Sequence, residues 1–116
     1  MTTVLILSMP PTSNNLFSGN GKRRYRSAQY KAWSQEAGWE LARQRPAKVL
    51  GQVSILIQVE EPKTERQTDL ANREKATIDL LVEHGIIEGD RQRYVRRLTM
   101  EWADVTGVKV SISSVV

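Results

Sequence analysis

Hydrophobic positions along this chain switch between two periods, and the switches mark its elements. Val4-Leu5-Ile6-Leu7 is an unbroken apolar run and predicts a buried first strand. Pro10-Pro11-Thr12-Ser13-Asn14-Asn15 stops it, because proline has no N–H to donate and Asn and Ser bond to their own backbone. The resulting loop runs on through Gly19-Asn20-Gly21. Tyr30, Trp33, Ala37 and Leu41 then recur at helical spacing, with Ser27 as N-cap and Pro46 as a stop, predicting an amphipathic helix over residues 28–45. Val53, Ile55, Ile57 and Val59 share one parity and predict a strand over residues 52–60. A polar connection from Glu61 to Thr68 follows. Ile78, Leu81 and Val82 form the stripe of a second helix that starts near Asp69 or Leu70 and stops at Gly85. Tyr94, Leu98, Met100 and Trp102 share a parity and predict a strand over residues 93–102. Ala103 to Gly107 reads as a turn, and Val108, Val110 and Ile112 as a last strand paired back on the previous one as a hairpin. The order β-α-β-α-β-β predicts one α/β (α+β) domain over residues 1–116, with two helices on one face of a mixed or antiparallel sheet.

Composition narrows the setting. A chain of 116 residues buries a smaller fraction of its surface than a larger one, so association with a second copy is an expected gain. There is no cysteine, which excludes disulfides and thiolate metal sites. No apolar run approaches the roughly 18 residues of a membrane span, and Met1-Thr2-Thr3-Val4-Leu5 lacks the basic stretch of a signal peptide. The expectation is a cytoplasmic protein with no membrane partner. Net charge is +4, and the excess is clustered. Lys22, Arg23, Arg24 and Arg26 occur with no acid among them, as do Arg91, Arg93, Arg96 and Arg97. Such clusters suit a polyanion, and with Arg73 they are the candidate DNA contacts. The lone histidine, His84, excludes paired-histidine metal motifs and falls in a last helical turn, where a positive charge meets the helix dipole favourably. Trp33 and Trp102 are expected in the core. Trp39 lies off the stripe; core packing is the favoured reading, with a partner surface as the alternative.

The candidate chemistry lies in Asp69-Leu70-Ala71-Asn72-Arg73-Glu74-Lys75 and Gly85-Ile86-Ile87-Glu88-Gly89-Asp90. Together they resemble the core motif of the RusA-type Holliday junction resolvases, phage and bacterial endonucleases whose first segment reads Asp-x-Asp-Asn-x-x-Lys. Asp69, Asn72, Lys75, Gly85 and Asp90 fall in register with it, whereas the second aspartate is replaced by Ala71. The Pro-Pro-x-Ser-Asn-Asn stretch at residues 10–15 is similar to one that follows the family's first strand.

The resemblance implies a homodimeric endodeoxyribonuclease acting on branched DNA, of bacterial or phage origin. It implies a metal site with Asp69 and Asp90 as ligands and Lys75 assisting, Mg²⁺ as the ion and Mn²⁺ as the alternative. Mg²⁺ takes hard oxygen ligands and serves phosphodiester hydrolysis by neutralising charge and activating water. Ala71 leaves that site one carboxylate short, so an impaired nuclease that still binds junctions is a second expectation, and a basic nucleic-acid-binding module a third. Asp69 and Asp90 flank a helix of roughly 15 residues, about 22 Å long. They converge only through a returning loop or across two subunits. Asn72 is expected to cap the helix, and Glu74, Asp79 and Glu83 to form its solvated face, with Glu74 a weak substitute for the missing ligand.

Overall fold

The computed structural model describes residues 2–64 and 69–115. Six strands, β1 (Thr2–Leu7), β2 (Phe17–Ser18), β3 (Tyr25–Arg26), β4 (Val53–Glu60), β5 (Val95–Ala103) and β6 (Val108–Ser114), accompany two helices, α1 (Ala28–Gln44) and α2 (Glu74–Glu83). Four strands form a mixed sheet in the order β1-β6-β4-β5, and β2 and β3 pair separately. β6 runs antiparallel to both β1 and β4, whereas β5 runs parallel to β4, the geometry of a crossover through α2. The major elements therefore follow the expected α+β order. Among the described residues no helix is long and apolar enough to cross a membrane.

Period-two patterning places the core on one face. Thr3, Ile112, Ile55 and Leu98 are register partners in one row across the sheet. Leu5, Val110, Ile57 and Met100 make the next, and Leu7, Val108, Val59 and Trp102 the third. The members from β1, β6 and β4 are all buried, and the helices cover them with Tyr30, Trp33, Ala37, Leu41, Ala76, Leu80 and Leu81. The opposite face is bare. There Val4 and Ile6 are about half exposed (49% and 51%), so the first strand is not the fully buried one its apolar run predicts.

The hairpin expected between the last two strands does not form. β4 lies between β5 and β6 and pairs with both from Val53 to Val59, so the last two strands are not neighbours. The connection from Ala103 to Val108 steps over the end of β4, where Glu60 anchors it. The Glu60 N–H donates to the Gly107 carbonyl at 2.9 Å, and its carboxylate accepts from the Gly107 N–H at 2.8 Å. Gly107 has φ 70°, and a Cβ there would meet the Leu7 carbonyl at 2.2 Å, so this crossing requires glycine.

α1 follows its sequence signals. Ser27 Oγ accepts from the Tyr30 N–H at 3.1 Å, and Arg45 ends the helix in the left-handed conformation just before Pro46. Trp39 corrects the core expectation: it is 67% exposed, because it lies off the buried stripe of α1. The same helix closes one edge of the sheet. Gln44 Oε1 accepts from the Ile6 N–H at 2.8 Å and its Nε2 donates to the Ile6 carbonyl at 2.6 Å. Glu40 accepts from the Ser8 N–H at 2.9 Å, and the Trp33 indole donates to the Ser8 carbonyl at 2.9 Å.

Candidate active site

The motif segment is not one helix. Leu70–Arg73 forms a 3-10 turn, and α2 begins only at Glu74, later than the sequence pattern predicts. Nothing at positions 70–73 offers an apolar stripe, so two other bonds shape the turn. The half-buried Arg73 guanidinium donates to the Pro10 carbonyl, and Ser13 Oγ donates to the Asn72 carbonyl at 3.3 Å. The Pro-Pro-x-Ser-Asn-Asn loop and the acidic motif are therefore one structural unit. Burial lowers the Arg73 pKa, in keeping with a guanidinium packed inside the fold rather than held out for phosphate. Asn72 does not cap: neither the turn nor α2 has a side-chain cap at its first position.

Asp69 precedes the turn in extended conformation (φ −85°, ψ 127°), exposed, with its carboxylate not used for capping. Ala71 is exposed on the turn. Lys75 is also exposed, and its ammonium lies 3.3 Å from the Asp79 carboxylate one turn on. Asp79 is thus the partner of the candidate catalytic lysine, a role that the i,i+4 spacing carried in the sequence.

Asp90 returns. α2 is only ten residues long, about 15 Å. Gly85 then reverses the chain at φ 68°, and Ile86 and Ile87 bury themselves in the core. The effect shows at Glu74, the first residue of α2. Its carboxyl is pushed above the usual range, first by burial, then by the charges of Asp79 and Asp90, with Lys75 opposing. Asp90 is the last of these influences in size. Glu74 is accordingly not part of a solvated face. Glu83 stays exposed on that face, where it pairs with Arg26.

A divalent cation asks for more than this. Among the described residues, no three of His, Cys, Asp and Glu are grouped closely enough to hold a metal ion. Ala71 stands where the family motif has a carboxylate. The described residues of one chain therefore do not fit a complete metal site.

Over residues 8–113 the chain matches the family described as Endodeoxyribonuclease RusA. The chain belongs to the RusA family. That family resolves Holliday junctions endonucleolytically and is found in bacteria and phages. No individual curated protein matches it.

The basic residues of this RusA domain divide by what they already touch. Lys22, Arg23 and Arg24 are exposed on and after a 3-10 turn at Gly21–Arg23, with the Arg24 guanidinium 4.3 Å over the Phe17 ring. Arg26 lies over the Tyr30 ring at 4.7 Å and pairs with Glu83, which raises its pKa. It joins β3 to the last turn of α2. In the second cluster Arg91, Arg93, Arg96 and Arg97 are all exposed. Arg93 lies 5.1 Å over Tyr94, and Arg96 donates to the Gln92 carbonyl at 3.0 Å. Arg97, opposite Ser54, faces the bare side of the sheet.

Proposed function

We propose that this RusA-family chain binds four-way DNA junctions as a cytoplasmic homodimer and cuts them slowly or not at all. One observation carries the reading. The motif turn keeps its supporting bonds to Pro10 and Ser13, while the position of its second carboxylate is an exposed alanine. The scaffold for the site is retained and one ligand is absent.

Asp69 and Asp90 are the residues proposed to face Mg²⁺ or Mn²⁺, which in this chemistry neutralises phosphate charge and activates water. Two carboxylates leave such an ion one ligand below the family pattern. Lys75 adds positive charge at the same turn, held near Asp79 until a phosphate competes for it. Lys22, Arg23, Arg24, Arg91, Arg93, Arg96 and Arg97 are the proposed phosphate contacts, and Arg26 and Arg73 act by holding their loops. The test is electrophoretic titration of a four-way junction and a linear duplex of the same sequences, followed by product analysis in Mg²⁺. Preference for the junction with little or no cleavage is expected. Equal binding to both would remove the junction reading.

A further inference from the structure

We infer that two copies of this chain pair through the free edge of β5, antiparallel, about a two-fold axis at Thr99. The inference rests on the homodimer proposed above and names its surface.

The two edges of the sheet are not alike. At β1 the outward groups of Ile6 and, just beyond the strand, the Ser8 N–H and carbonyl are taken by Gln44, Glu40 and Trp33 of α1, which caps the end of that edge against addition of another strand. At β5 the inner edge pairs with β4, and among the described residues no hydrogen bond reaches its outer backbone groups between Arg97 and Trp102. Nine residues, Val95–Ala103, make this the longest strand of the sheet. An unpaired edge of that length is a template for strand addition.

Its sequence specifies which strand. A two-fold axis at Thr99 sets Arg97 opposite Glu101 of the second copy, and Glu101 opposite its Arg97. On the helix side the same axis sets Leu98 against Met100, both incompletely covered within one chain. Opposed residues in an antiparallel pair share a face, so the match holds on both sides of the sheet at once. Moving the axis by one residue to Leu98 would set Arg97 against Thr99 and remove both charge pairs. Charges and bulges ordinarily protect an edge. Here the bulge lies between the Val53 and Ser54 pairings, at the start of β5, and leaves the strand regular from Arg97 onward. The 3-10 turn carrying Ala71 packs on β5 as well, so pairing brings both copies of the motif turn to one seam.

The chain has no cysteine, which makes cross-linking clean. Cα atoms of directly opposed residues lie about 4.5–5.5 Å apart, inside the disulfide range. Thr99→Cys in the full chain should therefore link into a covalent dimer under mild oxidation. Val4→Cys, on the bare face of β1, should not. By analytical ultracentrifugation, Arg97→Glu should weaken the dimer about tenfold or more by opposing like charges, and Arg97→Glu with Glu101→Arg should return it to within about threefold of the parent. All of these positions are exposed, and circular dichroism checks their folding. A dimeric parent whose Thr99→Cys stays unlinked overturns the β5 interface alone; linking through Val4→Cys instead moves the seam to the bare sheet face. A monomeric parent overturns the homodimer reading as well.

Discussion

Ala71→Asp is the substitution that separates a lost ligand from a lost fold. Ala71 is exposed on a turn two residues before Arg73, so the new side chain fills no buried space. Aspartate has lower helical propensity than alanine, by up to about 0.7 kcal/mol. It gains about 0.3–1 kcal/mol from a negative charge near the start of α2. These offset, so stability should stay within about 0.5 kcal/mol, and the midpoint of thermal unfolding should move by less than about 4 °C. Metal affinity should change far more. Even a residue that only supports a ligand is worth about 10–100-fold in metal affinity, or about 1.4–2.7 kcal/mol, and a ligand itself should be worth at least that. Calorimetric titration with Mg²⁺ and Mn²⁺ measures the gain, and nicking of an end-labelled four-way junction reads its consequence. Adding Asp69→Asn to Ala71→Asp should abolish both. A folded, junction-binding Ala71→Asp protein with no gain in metal affinity or nicking would refute the assignment of this turn as the metal site.

Three further outcomes follow from the same geometry. A carboxyl whose folded pKa is raised, as at Glu74, costs stability when ionised; the cost is absent below about pH 4 and grows as pH rises through the folded value. Glu74→Gln should then stabilise the protein at pH 7 but not at pH 4, and an equal effect in urea melts at both would discount the burial of this group. Replacing Lys22 and Arg23 together by alanine should weaken junction binding and reduce the slope of log affinity against log salt by about 1.8 per protomer, at about 0.9 per phosphate contact; an unchanged slope would place DNA elsewhere. Gln44→Ala should cost about 0.5–1.5 kcal/mol for each of the two bonds to Ile6 and promote concentration-dependent association through the β1 edge, which light scattering would detect.

What could be read in the sequence was local. Ser27, the Tyr30 to Leu41 spacing and Pro46 define α1 through interactions within a turn or two, and the structure keeps them. The alternation of Val53 to Val59 likewise fixes a strand and its buried face. Which strands lie side by side is a non-local matter. The β5-β6 hairpin pattern was sound as a local signal, but β4 pairs with both strands and separates them. The motif was legible as residue types in register, but its geometry was not. Bonds across roughly sixty positions, Arg73 to Pro10 and Ser13 to Asn72, shorten α2 and hold the turn, and no spacing rule anticipates them. The course of the chain from Gly85 to Asp90 depends on Ile86 and Ile87 being drawn into the core. Charge clusters also hide existing partners: Arg26 and Arg73 look like their neighbours but are already engaged, by Glu83 and by the Pro10 carbonyl.

A RusA scaffold is proposed to survive here with its junction affinity and without its full complement of ligands. The most direct measurement places the protein on an immobile four-way junction in Mg²⁺, with excess linear duplex as competitor, and follows bound fraction and strand cleavage in the same tube. A junction complex that resists the duplex and yields few or no nicks is expected, alongside an Ala71→Asp protein that binds equally and cuts. Symmetric cleavage by the unaltered chain at the rate of Ala71→Asp would contradict it.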